Sequence, residues 1–235
     1  MAAALVLSAG GMFAAWEAGA WKTLSRRFQP DMIAGTSAGA WVGWAIAGGA
    51  TPEELASEWL DPRTACIIQP GLHRSGWLRS EELHRRAREL FERYRPRVPF
   101  GLTLVELPLF RPRLVRDGEI TWRHLAATCA IPLGFAPVEI AGRTYVDGGL
   151  LGALPLWAAS EMGADRALAL DALNTWQFRA LRTVLRPRRP RRPLAVERIE
   201  PSAPLGSLRD AARWSVGNIT RWIEQGERDA ACNMA

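Results

Sequence analysis

Asp31-Met-Ile-Ala-Gly-Thr-Ser-Ala-Gly-Ala-Trp-Val-Gly-Trp-Ala-Ile-Ala47 is the stretch that decides the fold. Its first six residues, Asp31–Thr36, read as a buried strand, and the chain passes without a linker into Ser37 and a small-residue helix, Ala38–Ala47. Gly35-Thr36-Ser37-Ala38-Gly39 is therefore a G-x-S-x-G at a strand-to-helix turn. A serine in such an elbow projects its hydroxyl beyond the sheet edge, and the small neighbours Gly35, Thr36, Ala38 and Gly39 let the chain turn tightly. Ser37 is the candidate nucleophile.

Upstream lies only one more strand, Ala3–Ser8, a glycine break at Gly10-Gly11, and a helical pattern over Met12–Phe28 with Phe13, Trp16, Ala20 and Leu24 on one face. An α/β-hydrolase needs several strands before its elbow, so that architecture is excluded. An oxyanion hole must instead come from the first strand-to-helix turn, Ser8-Ala9-Gly10-Gly11-Met12, where the glycines let backbone N–H groups at a helix N-terminus face a developing negative charge that the dipole favours. A plain tight turn is the alternative. Nucleotide binding is disfavoured, because the chain has neither a Walker lysine nor a complete G-x-G-x-x-G.

Downstream, strands and helices alternate. Thr51-Pro52-Glu53-Glu54 opens a helix with a cap residue, a first-turn proline and early acids. A charged helix spans Ser80–Tyr94, and strands Leu102–Leu107 and Leu109–Arg116 meet at Pro108. Helix Thr121–Ala130 ends at Ile131-Pro132, Val138–Ile140 and Arg143–Val146 form a hairpin, Pro155–Met162 is helical, and Ala167–Leu170 and Leu194–Ile199 are strands. This alternation predicts an α/β fold with a mainly parallel central sheet, read as one domain over 1–235. Arg186–Pro193, with its three prolines, is expected as an exposed basic loop. Leu205–Glu227 reads as one or two amphipathic helices bearing Leu208, Trp214, Ile219, Trp222 and Ile223. Trp41, Trp44, Trp214 and Trp222 are expected to pack in the core; the competing reading lays the C-terminal helix on lipid.

The chain has 235 residues, 48% of them apolar, which is enough for one buried core, and a net charge of +6. Basicity with 11 Trp against 2 Tyr suggests nucleic acid or a membrane surface. Yet residues 179–198 hold eight arginines and one acid, Glu197, so the rest is nearly neutral and nucleic-acid binding loses its footing. That segment is instead a candidate for peripheral contact with anionic headgroups. Apolar runs such as Ala40–Ala47 are too short to cross a bilayer. Met1–Leu7 has no basic n-region and reads as a first strand, not a signal peptide. Cys66, Cys129 and Cys232 are odd in number and lack C-x-x-C spacing, which fits reduced, cytoplasmic cysteines and neither a disulfide framework nor a metal site.

A serine nucleophile needs a base. His73, His84 and His124 lie in a loop, a charged helix and a second helix, none in a turn after a strand, and all read as structural. Tyr145-Val146-Asp147-Gly148-Gly149 is different: Asp147 ends a strand and two glycines let backbone approach its carboxylate. A hairpin Asp-Gly turn is the plain alternative.

Leu7–Gly19, Gly35–Gly39 and Ile131–Leu156 together resemble the patatin-like phospholipases. The resemblance is most specific in Ala130-Ile-Pro-Leu-Gly-Phe-Ala-Pro137, in Tyr145-Val-Asp-Gly-Gly149 and in their order after the elbow. It implies a three-layer α/β/α sandwich, no cofactor, and hydrolysis of an acyl ester in a lipid by a Ser37–Asp147 dyad, with Gly10, Gly11 and Met12 as oxyanion donors. The family's loop usually reads G-G-G-x-R/K-G, whereas this chain has Ala9, Phe13 and Ala14 at its two outer glycines and its basic residue. Gly152 stands where asparagine is frequent. Alanine at 9 or 14 costs activity only if either position needs positive φ. A decayed loop would leave the competing function, a non-catalytic lipid- or membrane-binding module. An ordinary aspartate, with pKa near 3.9, is ionised at pH 7 but a weak base, which places the burden of catalysis on the oxyanion donors.

Overall fold

In the computed structural model, which describes residues 1–73, 76–173 and 188–233, the elbow strand lies inside an eight-stranded sheet. Strand β1 (Ala3–Leu7) leads through one 3-10 turn (Gly11–Phe13) into α1 (Ala14–Leu24), and β2 (Met32–Thr36) leads directly into α2 (Ser37–Ala47). Helix α3 (Pro52–Leu60) follows, opened by a capping box between Thr51 and Glu54. A two-stranded ribbon, β3 (Pro70–His73) and β4 (Gly76–Leu78), occupies a stretch with no readable alternation in the sequence. Then come α4 (Ser80–Arg93), β5 (Phe100–Leu107), β6 (Arg111–Arg116), α5 (Trp122–Thr128), β7 (Val138–Ile140), β8 (Arg143–Asp147), α6 (Leu156–Met162), β9 (Arg166–Leu170), β10 (Ala195–Ile199), α7 (Leu208–Ala211) and α8 (Val216–Asn233).

The sheet order is β10-β9-β1-β2-β5-β8-β7, with β6 also paired to β5. Every ladder from β10 to β5 is parallel, and those joining β5 to β6, β5 to β8 and β7 to β8 are antiparallel. Alternation along β1 and β2 explains the layers. Leu5, Leu7 and Ile33 enter the larger core, with α1, α2 and α8 above them, while Ala4, Val6, Met32 and Ala34 face a smaller core against Trp157, Ala158 and Ala159 of α6. The expected α/β/α sandwich is present.

The C-terminal segment belongs to the larger core rather than to a lipid surface. Trp222 is fully buried, its Nε1–H donates to Leu205 O at 2.8 Å, and its ring meets Phe13 edge-on at 5.0 Å. Trp214 is partly buried, with Nε1–H donating to Trp59 O at 2.9 Å. The helices here are α7 and α8, and α8 runs on to Asn233, past the expected end at Glu227. Of the Arg/Pro loop, residues 186 and 187 lie outside the described residues; Arg188 stacks over Trp157 at 4.4 Å and pairs with Glu161. Residues 189–193 are exposed, as expected. No helix among the described residues is long and apolar enough to cross a membrane.

Candidate active site

The register of β5 builds the site. Its Thr103 pairs with Thr36, the last residue of β2, and its next residue, Leu104, pairs with Asp147, the last residue of β8. Because β2 runs parallel to β5 and β8 antiparallel, two strands end facing each other on neighbouring residues of a third. Ser37 and Asp147, 110 residues apart in sequence, meet there: Ser37 Oγ–H donates to Asp147 Oδ2 at 2.7 Å. Both residues are buried.

Ser37 sits at φ 54°, a left-handed conformation that costs a non-glycine residue free energy and is maintained only where surroundings over-determine it. The surroundings are specific. Ser37 N–H donates to Thr128 Oγ1 at 2.9 Å, and the Thr128 hydroxyl donates to Thr103 O at 2.9 Å, tying the elbow to α5 and β5. Gly39 is obligatory, because a Cβ there would stand 2.2 Å from Ser8 O. The elbow and the glycine turn after β1 are therefore in direct contact, as their adjacent strand ends require (Leu7 opposite Gly35).

Asp147 Oδ1 accepts from Gly149 N–H at 2.7 Å, and Asp147 N–H donates to Ala130 O at 3.0 Å. This is a cap on the one-turn 3-10 helix Gly148–Leu151 rather than a hairpin turn. The carboxyl is not an ordinary one: burial pushes its pKa up to about 7, against the lowering effect of its bonds from Ser37 and Gly149. The expectation of an ordinary, weakly basic aspartate is thus corrected. Loss of water around a carboxylate held between two strand ends is the cause, and the sequence does not report solvent exposure.

In the glycine turn, Gly11 has φ 54° and faces Ala211 O closely, so glycine is required there. Ala14 has φ −62°, and the positive-φ residues other than glycine among the described residues are Ser37, Phe110, Leu133 and Ala141, so the backbone at Ala9 and Ala14 does not require glycine. Phe13, at the family's basic position, is fully buried against Trp222. Among the described residues none accepts the N–H of Gly10, Gly11 or Met12, as expected of the first donors of a helical turn.

His84 and His124 stand apart from this arrangement. His124 Nδ1 caps its own helix at Thr121, 3.1 Å from the backbone nitrogen, and the His84 ring packs against Trp122. Burial lowers the pKa of both. The His73 side chain lies outside the described residues. Trp44 is core, stacked on Phe91 and edge-on to Phe100. Trp41 is partly exposed and lines a cavity of about 740 Å³ together with Glu54, Glu58, Asp61, Arg63 and Arg93, a charged lining unsuited to an acyl chain. The three cysteines are free.

Three residues at the site carry no motif in the sequence. Thr128 is the link just described. Cys129 lies beside the pair, its thiol pKa raised by burial and then by the Asp147 charge. Glu17 lies under the glycine turn; its one sequence signal is that it is the sole charge among the first 21 residues.

Comparison with known proteins agrees with this architecture. Residues 5–160 match the family model described as patatin-like phospholipase. Uncharacterized NTE family proteins of Mycobacterium bovis and Mycobacterium tuberculosis are 30% identical over 183 residues, 72% of this chain and 48% of theirs. The chain thus spans about half the length of these relatives. Among solved structures, VipD from Legionella pneumophila superposes with a TM-score of 0.55 at 11% identity, over 99% of this chain and 66% of that one; this likeness is one of fold.

Proposed function

Because the chain belongs to the patatin-like phospholipase family, we propose that it hydrolyses acyl esters of lipids through a Ser37–Asp147 dyad. The observation that carries the reading is the 2.7 Å hydrogen bond from Ser37 Oγ to a buried carboxyl whose pKa is raised to about 7. A base of that strength is half in its reactive form near neutral pH and accepts a proton far more readily than a solvated aspartate. Neither His84 nor His124 takes part.

Asp147 Oδ2 takes the Ser37 proton as Oγ attacks the ester carbonyl, and the Gly10, Gly11 and Met12 N–H groups receive the oxyanion. Collapse expels the alcohol, which leaves with the proton from Asp147, and an acyl-serine remains. Asp147 then draws a proton from water as the water oxygen attacks the acyl carbon, and on collapse Ser37 Oγ takes that proton from Asp147 and leaves as the hydroxyl while the fatty acid is released.

Trp77 and Leu133, more than three-quarters exposed, and half-exposed Ile131 support a lipid substrate. Trp77 N–H donates to Leu133 O at 3.1 Å, and this loop begins at Ala130, whose carbonyl holds Asp147. Apolar side chains beside an ester-cleaving site suit acyl chains. The reading as a binding module rested on the altered loop; Gly11, where φ is positive, is retained, and the alanines occupy unstrained positions.

The test is labelling by a fluorophosphonate probe, expected in wild type and absent in Ser37→Ala, followed by hydrolysis of a p-nitrophenyl ester and a panel of phospholipids, lysophospholipids and acylglycerols. Asp147→Asn is expected to be inactive and His124→Ala active. The reverse pattern removes the dyad, and a folded, unlabelled wild type favours the binding module.

A further inference from the structure

Glu17 is fully buried on α1, at 0% exposure. Its Oε1 accepts from Ser8 N–H at 2.8 Å and lies 3.0 Å from Ser8 Oγ. Ser8 Oγ is also 3.0 Å from Ala9 O and accepts from Ala172 N–H at 2.9 Å. The residue that leads into the glycine turn is thereby gripped at main chain and side chain together. Glu17 Oε2 has no hydrogen-bond partner among the described residues and lies 3.0 Å from the point a Cβ on Gly39 would occupy. One carboxyl is therefore wedged between the glycine turn and the first turn of α2.

A buried carboxyl is an expensive way to fill that space. Desolvating it costs free energy that a leucine of similar volume does not incur, and replacement of buried charged groups by apolar ones is frequently neutral or stabilising. Packing alone does not account for a glutamate there. What Glu17 adds over an apolar side chain is a fixed acceptor for both donors of Ser8, one residue before Ala9 and two before Gly10.

We propose that Glu17 is a positioning residue for hydrolysis at Ser37: through Ser8 it sets where the Gly10, Gly11 and Met12 amides stand relative to the serine. The inference rests on the dyad reading above and adds a residue to it. Glu17 does not touch the ester; it acts by holding the turn. Burial drives its pKa well above the ordinary value, opposed by the two Ser8 bonds and reinforced by Asp171. Asp171 is itself fully buried, with Arg198 Nη1 3.7 Å from its carboxylate. Glutamine keeps a side-chain oxygen that can accept from Ser8, whereas leucine has none.

The experiment compares Glu17→Gln and Glu17→Leu by kcat and KM on p-nitrophenyl butyrate, by thermal midpoint, and by amide hydrogen exchange of the peptide covering residues 8–13. Glutamine is expected to keep kcat within about threefold. Leucine is expected to lower kcat roughly 100-fold, the loss typical of a misplaced oxyanion donor, with KM within about threefold, a thermal midpoint no lower than wild type, and faster exchange in 8–13 alone. A leucine variant with wild-type kcat, or a glutamine variant as impaired as the leucine one, overturns the inference. If Glu17→Leu does not fold, Ser8→Ala tests the link from its other end: about tenfold lower kcat at unchanged KM supports it, and wild-type kcat refutes it. An inactive wild type would instead count against the hydrolase reading itself, so the two failures are told apart.

Discussion

Asp147→Asn offers the sharpest test of the proposed dyad, because on that reading the same buried carboxyl governs both stability and rate. Burial moves its pKa from 3.8 to about 7. At about 1.4 kcal/mol per unit, that is a penalty on the order of 4 kcal/mol for carrying the ionised form in the folded state. Between pH 4 and 7 the folded protein holds a proton that the unfolded chain has lost. Stability from this group is therefore full below about pH 4 and falls as pH rises through about 7. Asparagine removes the titration but accepts from only one of the two donors, Ser37 Oγ–H and Gly149 N–H, at a cost of about 1–2 kcal/mol. The variant should accordingly be the less stable protein at pH 4.5 and the more stable one, by roughly 2 kcal/mol, at pH 8.5. Urea unfolding of both proteins across that range gives a difference curve in which every other titrating group cancels. In parallel, wild-type kcat/KM should rise with pH to a plateau above an apparent pKa near 7, while the variant stays inactive. A difference curve flat in pH, or a rate already at its plateau at pH 5, would refute the raised pKa and with it the argument that burial makes the base.

Other substitutions probe the supports. Gly11→Ala forces a side chain into φ 54° and against Ala211 O, so unfolding measurements should show a loss of about 1–3 kcal/mol along with reduced hydrolysis. Ala14→Gly restores the family's residue at an unstrained helical position and should add no activity while costing about 0.5–1 kcal/mol in stability. Thr128→Val strips the acceptor from Ser37 N–H; about 1–3 kcal/mol in urea unfolding and a lower kcat are expected. Trp77→Ser combined with Leu133→Ser should leave hydrolysis of a soluble p-nitrophenyl ester within about twofold but lower hydrolysis of vesicle lipid about tenfold. Equal effects on both substrates would remove the lipid role of this rim.

How much of this was legible in the sequence depends on whether a residue's role is local or comes from the sheet. The elbow at Gly35–Gly39 was readable because strand, serine and small-residue helix are contiguous, and Ser37 indeed opens α2 directly after β2. Asp147 was readable from the glycines after it. That the two meet was legible only through the family resemblance, since it depends on β2 and β8 ending opposite Thr103 and Leu104, a register fixed by long-range pairing. The ribbon β3–β4 escaped notice because four- and three-residue strands give no period to count. The C-terminal tryptophans carried an amphipathic pattern read as core, with a membrane face as the competitor; burial of Trp222 bears out the core reading.

On the proposed dyad reading, the meeting of strand ends also explains how Ser37 would be activated by a carboxyl in place of an imidazole. In a triad the imidazole is a base of suitable strength by its own chemistry, and the aspartate orients it and stabilises the imidazolium that forms. Here the carboxyl must supply that strength itself, and a solvated one near pKa 3.9 cannot. Placing it at a strand terminus inside the sheet removes water, while Gly149 N–H and Ser37 Oγ–H hold its two oxygens in place. Each such bond favours the ionised form and lowers the pKa, so the site is a balance in which burial must outweigh two hydrogen bonds. Any change that lets water reach Asp147 should lower its pKa and weaken the base without moving an atom of the dyad. Loop 130–135 is the structure best placed to do this, since Ala130 O holds the Asp147 backbone and Leu133 keeps a bulky side chain at φ 67° in solvent. Shortening that loop should shift the pH–rate profile toward lower pH and reduce its plateau together, a coupled change that loss of substrate binding alone would not produce.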